Sequence, residues 1–393
     1  MKTMKITFIL TLGFILLRSY VPFQTLQAQP QLMTFKNDIP LPDGIAVDAQ
    51  GRVLVHSETF NKTEAIQFDA KGALLNQVTF GDGVFDKTRF IGSRFSYDPF
   101  LHLMIMLTPG GEFFQIHPDG LQVLPDVMSI PPEAVSANNV YDVNTGQTVS
   151  LGLTLDTVLR YGDLALFRPE TPPEQLTLIA TGTAEPVSEP PFPFVMEIAI
   201  DPLSGTIAAQ MVLTSSATPF TLDNRTRGAA VNRHGIGITT LPISDSFNPG
   251  ETKEVAVTFP VYTAPGTTGL LPQPVVLFNG LDVTSAGMTS DQVGHFYAAS
   301  GDQGSSACEP NRSGALVVMP VDDNGLPLGL VPSANAVPAE PAPLGVLNQI
   351  ACFPIATTMD DVVNSRDVAV NPVNQSVVFT VNNRDLVLVI SQP

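Results

Sequence analysis

One phrase recurs along this chain and restricts its fold more than any other feature: a short β-branched or aromatic run, an Asp- or Asn-led turn, then a second such run. It is clearest in GIAVDAQGRVLVHS (44–57), where Ile45, Val47, Val53 and Val55 alternate with small or polar residues about Asp48-Ala49-Gln50-Gly51. Alternation of that kind is the mark of a strand, and a helical period is hard to find beyond residue 30. Weaker copies are SRFSYDPFLHLMIML (93–107), NNVYDVNTGQTVSL (138–151), MEIAIDPLSGTIAAQMVL (196–213), AGMTSDQVGHFYAAS (286–300) and RDVAVNPVNQSVVFTV (366–381). Their turn residues, Asp48, Asp98, Asp142, Asp201, Asp291 and Asn371, mark six units.

A second hairpin follows each of the first five marks. AIQFDAKGALL (65–75), EFFQIHPDGLQVL (112–124) and ALVVMPVDDNGLPLGLV (315–331) are clear, while ALFRPETPPEQLTLI (165–179) and AAVNRHGIGITTL (229–241) are looser. Four strands per unit of about 40–50 residues describe the blade of a β-propeller. The expected fold is therefore all-β, a six-bladed β-propeller of four-stranded blades, with seven blades as the alternative if an insertion conceals one. The sixth unit is short of a strand, and QLMTFKNDI (31–39) is a spare strand before the first. Pairing the two would close the ring and remove two exposed edges. Two stacked β-sandwiches are the competing architecture, and the shared turn phrase argues against them.

GIAVDAQGRVLVHS and IQFDAKGALL resemble an NHL-type repeat, and RDVAVNPVNQSVVFTVNN resembles it more loosely. Such phrases also occur in secreted six-bladed propellers of the lactonase type. The resemblance implies a fold that hosts both enzymes and binding scaffolds.

Composition narrows the function classes. The chain is 44% hydrophobic and only 14% charged, which excludes a disordered polymer. Its formal net charge of -18 repels phosphates, so no nucleic-acid partner is expected. Lys2 and Lys5 followed by the apolar run Ile6–Leu17 read as an export signal cleaved after Ala28, and the run is too short to span a bilayer. The expected mature protein is a single domain from Gln29 to Pro393, secreted or periplasmic, monomeric and without a transmembrane segment. Pro-rich insertions are expected near 242–280 and 332–356. Cys308 and Cys352 are an isolated pair in an exported chain, both in loops on one face of the ring, and a disulfide between them is expected.

No nucleophile elbow, P-loop or HExxH sequence occurs, and VDDNG (321–325) reads as a turn. His56 is the one histidine placed near the end of a second strand; a lone histidine is most often a packing residue. Counting back four or five residues from each turn mark gives Asp43, Arg94, Asn138, Glu197 and the pair Arg366-Asp367, which should converge at the channel mouth. Such hard oxygens could hold calcium. Lactonase-type propellers hold a metal there with Glu, Asn and Asp, so the resemblance implies Asn138, Glu197 and Asp367 as ligands and Asp43 as a base, with Asp43 standing where that family has Glu. Arg94 and Arg366 would partly neutralise the ring. Two functions follow as expectations. The first is a binding scaffold that presents its loop face to a protein, glycan or small molecule; the alternative is a calcium- or other metal-dependent lactonase or esterase.

Overall fold

The computed structural model describes residues 31–391 except for 60, 83–88, 126, 168–175, 201–206, 219–227, 246–247, 249, 262–275, 280–286, 300–314, 329, 332–344, 348–350, 354 and 356–362. The expected signal segment and Cys308 therefore lie outside the described residues, as do parts of the stretch 242–280 and most of 332–356. The fold is an all-β propeller. Its described strands form six sheets, and the helical turns among them are two short 3-10 turns, at Pro132–Ala134 and Asn382–Arg384. No described helix is long and apolar enough to cross a membrane.

Each sheet starts at an inner strand: Pro42–Val47, Arg94–Asp98, Val158–Phe167, Ala229–Val231, Met288–Ser290 and Ser365–Val370. Each inner strand touches the next, and the sixth touches the first, so the circuit closes. In the first sheet Val53–Glu58, Lys62–Phe68 and Leu74–Asp82 follow outward in chain order, all antiparallel. The sixth is completed from the other end of the chain. Gln31–Lys36 pairs antiparallel with Leu386–Ser391, as the spare N-terminal strand required.

Period-2 side-chain alternation explains how such sheets can be buried on both faces. Ile45 and Val47 pack into a cluster shared with Ala369 and Val378 of the sixth sheet, while Ala46 between them joins Phe95 and Met104 of the second. Met104 and Met106 face back to the first sheet, and Ile105 and Leu107 face the third. The core is thus a series of wedges between neighbouring sheets. Each fully buried Leu, Ile, Val or Phe in them stabilises the fold by about 1.5–3 kcal/mol.

The turn marks recur for a backbone reason. Asp48 Oδ1 accepts N–H bonds from Gln50 and Arg52, both at 2.9 Å, and Gly51 follows at φ +77°. Asp98, Asp291 and Asn371 make the same kind of bond to residues two or more positions on. In the sixth sheet the turn is one residue longer, and Gln375 holds the left-handed conformation at φ +58°. VDDNG is also such a turn, with Asp322 Oδ1 accepting from Asn324 and Leu326.

The unit boundaries differ from the sequence reading in the middle of the chain. The third sheet begins at Val158–Phe167 and runs outward through Leu176–Glu185, Phe192–Ile200 and Ile207–Thr214. The hairpin at 196–213, expected to open a unit, is therefore its outer pair. The 138–151 hairpin is more peripheral still, with Val140–Asp142 added in parallel to Ile207–Thr214. The fourth sheet opens at AAVNRHGIGITTL, where Asn232 leads the turn. Thr252–Pro260 and Val276–Asn279, inside the stretch 242–280, are its third and fourth strands. Leu330–Val331 pairs with Gly345–Leu347 in that same sheet, and the fourth strand of the fifth sheet is Ala351–Phe353.

Closing the ring with a separate strand has a measurable consequence. A chain starting at Asn37 is expected to melt roughly 5 °C or more below one starting at Gln31 and to aggregate through the bared edge of Leu386–Ser391. A dye-reported melt is the readout, since the chain has no Trp. Equal midpoints would show that the strand adds nothing to closure.

Candidate functional site

Aligning the inner strands by their apolar run shows one position repeated six times: Gly44, Arg94, Asp163, Gly228, Gly287 and Asp367. The run after it is Ile45-Ala46-Val47 in the first strand, Leu164-Ala165-Leu166 in the third and Val368-Ala369-Val370 in the sixth. Three of the six positions carry charge and three are glycine. The carboxylates reach across to the strands that carry glycine. Asp367 Oδ2 accepts the Ile45 N–H at 2.8 Å, and Oδ1 accepts that of Val368 at 2.9 Å. Asp163 Oδ2 accepts from Ala229 at 2.8 Å and from Met288 at 3.4 Å, and its Oδ1 accepts from Leu164 at 2.8 Å. Glycine leaves the room this needs: a Cβ on Gly287 would lie 1.9 Å from Asp367 Oδ1, and one on Gly44 would lie 2.5 Å from the Ser93 carbonyl oxygen.

Asp43 stands one residue before Gly44 and pairs with Arg94, Oδ2 to Nη1, at 3.0 Å. Each of the three aspartates lies at an irregularity in the pairing of its strand with the second strand of the sheet, at Pro42/Ile45, Tyr161/Asp163 and Ser365/Val368. Irregularities of this kind re-aim side chains. Asp43, Arg94, Asp163 and Asp367 are all more than nine-tenths buried and fill this end of the channel.

Burial and mutual charge set their protonation. Burial alone would raise Asp43, but Arg94 first and then Arg366 outweigh it and hold its carboxyl below the usual range. Asp163 is pushed up to about 7, mainly by burial, against the opposing pull of Arg94. Asp367 is raised well above the usual range by burial and then by the negative charge of Asp163. Arg94 is the cation for all three carboxyls and stays protonated.

Beyond this plug the channel opens into a cavity of about 560 Å³. It runs from Asp163 and Asp367 to the turns at Ala49, Pro99, Gln292 and Pro372. Ile45, Val47, Leu164, Val231, Val368 and their neighbours wall it, with Ser96 and Thr289 half-buried among them.

On the other side of Arg94, Asp43 meets two residues of Val53–Glu58. Donor atoms of Asp43, His56 and Glu58 lie within 4.8 Å of one another, and all three residues are buried. His56 is fully enclosed, stacks edge-on against Phe95 at 6.2 Å between centroids, and finds no partner for either ring nitrogen. Burial, with Arg94 adding to it and Asp43 opposing, drops its imidazole to about 4. The Gly92 N–H fixes Glu58 through Oε1 at 2.7 Å.

Of the residues expected at the mouth, Asp43, Arg94 and Asp367 come together, with Arg366 close enough for its charge to act on Asp43. Asn138 and Glu197 do not. Glu197 is on the third strand of the third sheet, two strands or about 10 Å out from the inner one, and Asn138 is exposed at the sheet's outer edge. A calcium or lactonase-type metal held by Asn138, Glu197 and Asp367 does not fit these positions, and both Asp367 oxygens already accept backbone N–H bonds. Asp163 escapes a sequence reading that counts back from Asx-led turns. Its hairpin is joined by RPETPPEQ (168–175), which contains neither Asp nor Asn. The shared pattern Asp-Leu-Ala-Leu and Asp-Val-Ala-Val is the signal that would find it.

No protein-family model matches the chain, and no curated protein does. Solved structures do. A calcium structure of Trichoderma reesei carbohydrate-active enzymes family AA12 is 10% identical over 93% of this chain and 96% of that one, with a TM-score of 0.50. The iodide structure of the same family is 11% identical over 93% and 96%, at 0.51. A putative gluconolactonase is 13% identical over 93% and 92%, at 0.45. At such identities the likeness to the two AA12 structures speaks for the propeller fold and nothing finer.

Between about pH 4 and 7 Asp163 is protonated in the folded chain and ionised in the unfolded one. Folding then takes up a proton, and stability falls as pH rises through that window. The advantage of wild type over Asp163→Asn is expected to shrink from pH 5 to pH 8 by on the order of 2–4 kcal/mol in denaturant titrations. A constant difference would mean that Asp163 is already ionised at pH 5. Gly287→Ala is expected to destabilise by about 3 kcal/mol or more, because the added methyl overlaps both the carboxylate and the backbone of Asp367.

Proposed function

We propose that the protein is an exported binding propeller, each of its six sheets one blade, that takes a small neutral or cationic group into its central channel. The observation that carries this reading is the cavity of about 560 Å³, whose wall mixes aliphatic side chains with polar groups and has the Asp163 and Asp367 carboxyls at its inner end. Ligand sites are commonly of this size, with convergent polar groups that fix the orientation of what binds. The six blades are supported by the closed circuit of inner strands. The charge sign comes from the two carboxyls and from a chain of net charge -18, both of which disfavour anions.

Binding is preferred to metal-dependent hydrolysis for a stated reason. The carboxylates at the channel end are engaged in holding neighbouring strands and Arg94, and the expected ligand set is spread over inner and outer strands. Catalysis by a Lewis-acidic ion needs a coordination position open to substrate.

Benzylamine and benzoate are matched probes of opposite charge. In saturation-transfer NMR, benzylamine is expected to respond and benzoate not. The amine signal should strengthen from pH 6 to pH 8 as Asp163 ionises, and should vanish in Ser96→Phe and Thr289→Phe, which fill the cavity. An equal benzoate response, or an amine response that survives both variants, would remove the reading. Turnover of small lactones or aryl esters that disappears in Asp367→Asn would replace it with the hydrolase.

A further inference from the structure

Asp43, His56 and Glu58 form a cluster that the channel cavity does not include. Its second and third members follow from strand geometry: His56 and Glu58 are two apart on Val53–Glu58 and so share a face. Asp43 comes to them from the inner strand alongside, where Gly44 lies next to the His56 Cβ. His56 Nδ1 lies 3.8 Å from Glu58 Oε1.

The imidazole is the anomaly. A neutral ring offers one donor and one acceptor, and an unmet polar group in a dry interior costs about 1–3 kcal/mol. Here both nitrogens are unmet in a side chain with 0% exposure, although two carboxylates stand within reach. A neutral ring can donate its one N–H to a carboxylate, yet neither nitrogen does so here, and Arg94 already occupies Asp43 as a cation. An imidazole nitrogen without a hydrogen-bond partner, facing two carboxylates whose donor atoms lie within 4.8 Å of it, is the ligand set that a metal ion takes.

The geometry points to a buried site for one divalent transition cation of the zinc class, held by Asp43, His56 and Glu58. A nitrogen donor and three protein ligands suit zinc and its neighbours rather than calcium or magnesium, which take more oxygens or keep more water. Tetrahedral bonds of about 2.0–2.1 Å place ligand atoms ~3.4 Å apart, so a cluster spanning up to 4.8 Å has to draw together on the ion. The Gly92 N–H on Glu58 Oε1 supplies the outer hydrogen bond that orients a ligating carboxylate. Arg94 opposes the ion, being a positive charge 3.0 Å from Asp43. Removing that charge should therefore tighten binding, whereas a merely structural role for these residues would not produce a gain.

The test is a cobalt(II) titration of the purified, chelator-treated protein, followed by visible absorption and displaced with zinc. One equivalent should raise a d–d band. Affinity should fall at least tenfold in His56→Gln and in Glu58→Gln and rise several-fold in Arg94→Gln, with far-UV circular dichroism confirming that each variant is folded. A band of unchanged strength in His56→Gln would belong to another group, such as the surface pair His102 and His117, and would overturn the assignment. No band in wild type would do the same. Should the variants fail to fold, X-ray absorption of the zinc-loaded wild type decides. One imidazole with oxygen ligands supports the site, and none or two overturns it.

Discussion

Six strands meeting about one axis cannot all pair with each other, so their inner edges present backbone N–H groups with no sheet partner. The structure answers this with carboxylates. Asp163 receives amides from the third, fourth and fifth sheets, Asp367 receives amides from the sixth and first, and Asp43 joins first to second through Arg94. Every sheet is caught by one of these three links. Buried donors are nearly always satisfied in native proteins, and a carboxylate can serve several at once where a carbonyl serves one or two. The price is electrostatic: three carboxyls must share the cation Arg94, and two of them are driven towards their neutral forms.

This arrangement also explains why three of the six axial positions are glycine. A carboxylate long enough to reach the next strand needs an absent side chain to reach past, which Gly287 shows in its overlap with Asp367. The apolar triplets that follow then send alternate side chains into the wedges on either side, as Ala46 does against the second sheet and Ile45 against the sixth. Core packing and channel chemistry are thus two readings of one strand pattern.

Much of this is legible in the sequence. The propeller class, the closing strand at residues 31–36, the first and second sheets and the sixth follow from Asx-led turns and alternation, because those turns are held by bonds from residues close in sequence. The third and fourth sheets are misread where that local signal misleads. The third sheet's opening hairpin has a Pro- and Glu-rich connection, whereas Asp142 leads a turn in a peripheral hairpin and accepts from Asn144 in the same way as the true marks. Glu197 and Asn138 inherit their placement from that shift. Asp43, Arg94 and Asp367 can be found by counting because their units are in register. The His56 cluster cannot, since nothing in sequence reveals that a lone histidine will be enclosed without a partner.

The N-terminal strand has a temporal meaning as well as a spatial one. Synthesis delivers Gln31–Lys36 before every other described strand and Leu386–Ser391 after them, so the sixth sheet unites the earliest and latest of the described strands. Earlier sheets can assemble as they emerge, but the circle cannot be sealed until Leu386–Ser391 is available. The seam makes completeness a condition of stability: a chain broken off at any point short of its last strand keeps an open edge, and an open edge is what chaperones and proteases recognise.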